Sequence, residues 1–413
     1  MTRLHLKSHA EAVKLGRVLG VEPERLGYLE RLGPEDLRAV RELATDAQYA
    51  ADAERFQRIA FASRLLPVAL TALIAQRVFG PLLGARVAGV LEADHAIALA
   101  DRMPPDFLAD LAAELDPRRC SEIIAGMPAE RIAEVAAILT ARGDHVTMGR
   151  FVGHMTDAAI TASLEVIDEP SLLRISYVLE GDAGLERVIA LMSREQLGAT
   201  IRAAGEHDLW PEALNLLGRV SEPVAGRLGD IAAGEDDAVL AGMVRVAQDD
   251  DLWDAVLPVT RVMSEPARER FAALPAIHAR AVLASVVRAA MLGGSWRDLL
   301  PLVAALPREA RLDLWAEALA TAESLPAEQL RERAGEAVDL GIDDALPDIL
   351  AAADAADLWP RGLRLLAALG PDLQRRLAPA AAGLPAPQRA AARSHAHDLG
   401  LLGELGPLGE ALA

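Results

Sequence analysis

A bulky side chain that returns at a fixed interval restricts a fold more tightly than any average property of the chain. Trp210 in DLWPEALNL, Trp253 in DLWDAVLPV and Trp296 in SWRDLLPLV are each 43 residues apart. The match extends beyond tryptophan. Ser221–Pro223 and Ser264–Pro266 both read SEP, Pro307 takes the place of the third serine, and seven residues later stand Leu228, Phe271 and Leu314. A fourth copy opens at Trp359 in DLWPRGLRLLAALGPDLQRRL, with Leu377 in the matching position; its offset of 63 from Trp296 implies about twenty inserted residues.

Each copy reads as two helices. The tryptophan starts one, with apolar residues at helical intervals (Leu214 and Leu217; Leu257 and the less apolar Thr260). A Ser-x-Pro or Gly-Pro step stops it and opens another, because Ser caps free N–H groups and Pro forfeits no bond in a first turn. Two helices in 43 residues is the length class of HEAT and armadillo hairpins. One such hairpin cannot cover its own apolar side, so copies must stack. The expectation is all-α: a curved α-solenoid of short helical hairpin repeats, with tryptophan as the wedge at each seam. Trp315 stands outside the pattern. Composition agrees, since aromatics are 3% of the chain and Ala and Leu dominate.

Upstream the punctuation tightens. Met103-Pro104, Asp116-Pro117 and Met127-Pro128 follow at short intervals, and related starts occur at Met155, Ile167 and Met192, where Ser193 and Gln196 form a capping-box pair. Residues 94–200, with this apolar-Pro-acidic cap followed by leucines, resemble the N-terminal intracellular domain of the MgtE magnesium transporters. The resemblance implies a superhelix of short helices serving interaction or sensing. Transport is not implied, because the chain carries no recognisable transmembrane or nucleotide-sensing module.

The remainder divides into an N-terminal helical cap at 1–55, where Ser8 and Glu11 read as a capping box, an apolar helical hairpin at 56–93, the short-helix stretch 94–200, and the 43-residue repeats at 201–413. The hairpin, IAFASRLLPVALTALIAQRVFGPLLGARVAGVL, carries too many apolar side chains for one helix face. The expectation is burial on all sides, as a plug or as the wall of a cavity. A cavity would suit an apolar small molecule or a lipid. Phe61, Leu66, Leu73 and Phe79 would then form the apolar lining, with Arg64, Arg77 and Arg86 holding a carboxylate or phosphate head group. The longest uncharged run, between Arg64 and Arg77, is shorter than the ~20 residues a membrane-spanning helix requires.

Charge removes several function classes. The net charge is −19, from 61 acids against 42 bases. That disfavours a nucleic-acid surface, where phosphate neutralisation supplies most of the affinity. Lysine occurs only at Lys7 and Lys14, and no Gly-Lys pair exists to build a Walker-type phosphate loop. The single Cys120 excludes an intramolecular disulfide and reads as a structural helix residue. His145 and His154 are the weak metal candidates: on an unbroken helix their rings would point apart, and only a break near Gly149 or Gly153 would bring them together. His395 and His397 read as solvated surface. The acidic knots at 235–237, 249–251 and 343–344 lack the ligand ladder of a calcium loop and read as helix caps at repeat junctions. No catalytic motif and no cofactor motif is present, and no secretory leader is legible, which points to the cytoplasm. The sequence therefore predicts a non-catalytic binding scaffold that engages a protein partner. The second reading is a binder of an apolar small molecule or membrane lipid through 59–91, and an all-α enzyme is the third.

Overall fold

A computed structural model describes residues 3–179, 181–322 and 325–412; the side chains of residues 3–7, 327 and 343, Lys7 and Asp343 among them, lie outside the description. Among the described residues the chain holds 28 α-helices, joined by short 3-10 and π turns, and no strand. Contacts divide it into two units, Met1–Ser221 and Glu222–Ala413.

In the first unit helices pack mainly on the second helix along. Gly80–Ala88 packs on Pro105–Glu114, then Ala129–Ala141, Asp157–Leu164 and Asp182–Leu191 follow in turn. A second string runs through His145–Phe151, Glu169–Val178 and Arg194–Glu206. The N-terminal helix, Arg3–Leu19, packs on Glu169–Val178 and Trp210–Leu217. Arg17 reaches Asp144 at 2.9 Å, and the rings of His9 and Tyr177 lie 6.4 Å apart. Ser8 does not open that helix: it sits inside it, buried, and its hydroxyl donates to the Leu32 carbonyl at 2.9 Å. Glu11 is engaged by Lys14 at 2.6 Å instead of capping. The residues before Ser8 are already helical, so no free N–H groups are there to cap.

The tryptophan recurrence has a backbone cause. Trp210, Trp253, Trp296 and Trp359 are each the first residue of a helix, and all four are buried. The residue two before each one is left-handed: Asp208, Asp251, Gly294 and Asp357 all have φ between 54° and 70°. The residue between then donates its N–H five back along the chain, as from Leu209 to Ala204, Leu252 to Ala247, Ser295 to Ala290 and Leu358 to Ala353. This is a Schellman ending repeated four times, and it turns each new helix so that its first side chain is buried. Trp296 stacks on Trp315 at 6.4 Å and 17°, which gives the out-of-register tryptophan its place. Trp359 stacks on His395 at 5.1 Å and 14°, so that histidine is a packing residue.

The repeat differs from expectation in its helix count. Between Trp210 and Trp253 lie three helices, Trp210–Leu217, Glu222–Ala232 and Asp237–Asp249; the next copy likewise holds Trp253–Val262, Glu265–Ala272 and Arg280–Gly293. The acidic knot at 235–237 is the junction that opens the third. Ser264 occupies an N-cap position, but its side chain makes no cap bond; its N–H donates to Asp230 at 2.8 Å. The capping box at Ser193 and Gln196 is present in both directions.

Candidate functional site

The segment expected to be buried is turned outward. One helix, Val68–Ala88, contains a π turn at Ala75–Phe79 and is long and apolar enough to cross a membrane, yet only 17% of its most apolar window is buried. Its buried residues are small or modest: Thr71, Ala72, Ala75, Ala85 and Val87. Ala72 and Ala75 pack with Leu99, Met103 and Leu108, while Ala85 meets Cys120 and Ile124. The large residues face solvent, with Leu73 50% exposed, Val78 72% and Leu82 55%. Leu70 on the same helix, and Phe61, Leu65 and Leu66 on the preceding helix and turn, are exposed too. The plug expectation is overturned. A hairpin with alanine on one side needs only that side covered, because small residues let neighbouring helices approach closely.

The π turn keeps the outward stripe in phase. Leu70, Leu73 and Val78, ahead of the break at Gly80, are spaced three and five residues apart. The five-residue step spans the π turn, whose hydrogen bonds join residues five apart, so Val78 returns towards the side of Leu73. Gly80, at φ 73°, ends the π turn ahead of Pro81, a backbone conformation that side chains rarely adopt.

The electrostatics of this face differ from the rest of the chain. Residues 55–91 contain five arginines and no Asp or Glu, in a protein of net charge −19. At the edges Arg55 pairs with Asp52 at 2.7 Å, Arg58 with Glu54 at 3.3 Å and Arg64 with Glu92 at 3.0 Å. Arg86 donates to Gln48 at 3.2 Å. Arg77 is exposed beside Val78 and pairs with no carboxylate among the described residues. Of the predicted ligand-lining set, Phe61, Arg64, Leu66, Leu73 and Arg77 are exposed, while Phe79 and Arg86 are half-buried. With that exposure the structure does not gather them around an enclosed space. The absence of carboxylates was readable in the sequence; the inversion of small and large residues was not, because it depends on which side the neighbours cover.

Where the N-terminal helix meets the rest of the first unit, polar groups collect. His9 Nδ1 lies 2.7 Å from Glu30 Oε1. Burial pushes the Tyr177 phenol up, with the Glu212 and Glu30 charges adding to it, and burial also raises Glu212. His145 is held below its ordinary value by burial and by Arg174, and its ring meets the Ser171 hydroxyl at 3.2 Å. His154 ends a short 3-10 turn, Val152–His154. Among the described residues no group of three His, Cys, Asp or Glu side chains is placed to hold a metal ion. Cys120 is buried, and burial, with Asp116, pushes its thiol up to about 12. Burial favours the neutral forms of Tyr177, His145 and Cys120, which suits hydrogen bonding and packing more than nucleophilic chemistry.

A cavity of about 100 Å³ lies in the second unit, lined by apolar side chains that include Leu319, Val338, Leu350, Trp359, Leu366 and Leu369. Its size is that of a benzene-sized void, well below the ~300 Å³ and upward of sites for larger organic ligands. No protein-family model matches the chain, and no curated protein matches it.

Proposed function

We propose that the chain is a non-catalytic helical-repeat scaffold, an α-solenoid of the cytoplasm, that attaches to another surface through the outward face of Ala53–Ser63 and Val68–Ala88. The observation that carries this reading is the reversal of the second helix, with alanines inside and leucines and valine outside. Contiguous exposed apolar patches on soluble proteins mark interaction sites. The resemblance of residues 94–200 to an intracellular interaction superhelix supports the same reading, and the acidic remainder of the chain is available to a protein partner.

The test is made in a lysate of the protein's own host. The wild type should elute in gel filtration well ahead of its 43.9 kDa monomer. A Leu73→Glu/Val78→Glu variant should elute as the monomer, with unchanged circular dichroism and melting temperature. Co-elution of both proteins as monomers, with neither found on the sedimented host membranes, would remove the reading.

A further inference from the structure

Resting on that reading of the face as a docking surface, we propose that what it docks on is a lipid bilayer bearing anionic phospholipid. Three observations select this occupant. The first is sign. Residues 55–91 carry five arginines and no carboxylate, while the chain as a whole is strongly acidic. A basic apolar strip on an acidic protein is drawn to an anionic surface.

The second is the arrangement of the two residue types. Arg58, Phe61 and Leu65 follow one another at three and four residues, and Arg77 stands between Leu73 and Val78, all of them exposed. Basic side chains alongside an aliphatic stripe are what a helix lying in the plane of a membrane interface presents, with the stripe in the acyl region and the guanidinium groups at phosphate level. The three edge ion pairs do not oppose this. Pairs this exposed contribute little, and a lipid phosphate replaces the carboxylate without loss of hydrogen bonds.

The third is chemistry. The outward apolar side chains are Leu, Val and Phe, and all five tryptophans are buried elsewhere in the chain. A bilayer asks for no fixed hydrogen-bond geometry, and this face offers little. The helix lies on the membrane instead of crossing it. Its alanine side is occupied by Leu99, Met103 and Leu108 of the neighbouring helices, and Arg77 and Arg86 would stand in the hydrocarbon of a spanning helix.

The full-length protein is co-sedimented with vesicles of pure phosphatidylcholine and with vesicles of phosphatidylcholine containing 30% phosphatidylglycerol (about one anionic lipid in three, enough for a strongly negative surface potential). The expected result is pelleting with the anionic vesicles that weakens in high salt. Arg58→Gln/Arg77→Gln should cut the partition coefficient by about fivefold per arginine. Leu73→Glu/Val78→Glu should abolish pelleting, while Leu292→Glu, on an isolated exposed leucine of the second unit, should leave it unchanged. If neither vesicle binds, but the purified wild type dimerises on concentration and Leu73→Glu/Val78→Glu does not, the occupant is a second copy. The lipid inference then fails and the docking reading stands. If the vesicles fail and the pair of substitutions changes neither self-association nor elution in the host lysate, both fall.

Discussion

Arg219 holds the end of another helix: its Nη2 donates to the Leu179 carbonyl at 2.8 Å. Nη1 donates to the Ser176 carbonyl at 2.8 Å, and Nε reaches Asp182, the first residue of the following helix, at 2.9 Å. One guanidinium thus satisfies the free carbonyls at the end of Glu169–Val178 and the carboxylate that opens Asp182–Leu191. The device recurs: Arg187 takes the Met155 carbonyl and Asp157, and Arg131 takes the carbonyls of Ala100 and Met103. Lysine cannot perform this task, because it has no planar fork. Arg219→Ala should lower stability by about 2–3 kcal/mol and Arg219→Lys should recover less than half of that, read as urea midpoints of the full chain. Equal midpoints for the Arg219→Lys variant and the wild type would show that charge alone matters.

These clamps also mark where sequence reasoning stopped. Trp210, Trp253, Trp296 and Trp359 could be read as helix starts from spacing alone, because one backbone turn precedes all of them and leaves a rare residue at each. The arginines could not, since Met103 to Arg131, Met155 to Arg187 and Leu179 to Arg219 differ in separation and carbonyls have no sequence signature. The outward stripe of the Val68–Ala88 helix was legible as an apolar excess. Its direction was not: apolar content is the same whether leucine or alanine faces the neighbours, and only the packing of Leu99, Met103 and Leu108 on Ala72 and Ala75 decides it. The third helix of each repeat was only half legible: the knot at 235–237 reads as a helix cap, but no such acidic signal precedes Arg280, where the next copy opens its third helix.

The left-handed aspartates give a test of the repeat ending. Asp251 is exposed, sits at φ 55° and follows two further aspartates. Glycine adopts this conformation without the steric cost, of about 1 kcal/mol, that a side chain meets there. Asp251→Gly should therefore stabilise the protein by up to about 1 kcal/mol, and Asp251→Val should destabilise it by more than that because branching at Cβ worsens the clash. Thermal melts of the two variants check the sign. A loss of stability in Asp251→Gly would mean that the carboxylate makes a contribution larger than the strain.

Cys120 should be inert while the protein is folded. Burial is the main reason its thiol is pushed up to about 12, with the Asp116 charge adding to it and Arg119 opposing it, and the side chain is almost wholly enclosed. At pH 8 only a trace is thiolate, the form that reacts. Iodoacetamide at that pH should leave the native protein unmodified by intact mass and label it once in denaturant. Stoichiometric labelling of the native form would show that the packing of Cys120 with Ala85, Leu115 and Ile124 opens on the time of the reaction.

A buried charge cluster ties the N-terminal helix to the next and sets how stability answers to acid. Glu11, Lys14 and Arg41 are all nearly excluded from solvent; Lys14 Nζ lies 2.6 Å from Glu11, Arg38 lies 3.3 Å away and Arg41 Nε 3.5 Å. Burial alone would raise the Glu11 carboxyl, but Lys14, Arg41 and Arg38 outweigh it and hold the group below its ordinary value of 4.5. A carboxyl lowered in the folded state adds stability that is complete above its unfolded value and is lost as pH falls through the folded one. Glu11→Gln removes the buried carboxylate that Lys14 and Arg41 share, which should cost about 2–3 kcal/mol at neutral pH. The gap between the variant and the wild type should hold from pH 7 down to about 4.5 and shrink below that, as the wild-type carboxyl takes up its proton. Urea midpoints of both proteins between pH 7 and pH 3 measure the gap directly, and a separation that stays constant to pH 3 would show that Glu11 contributes through packing and not through its charge.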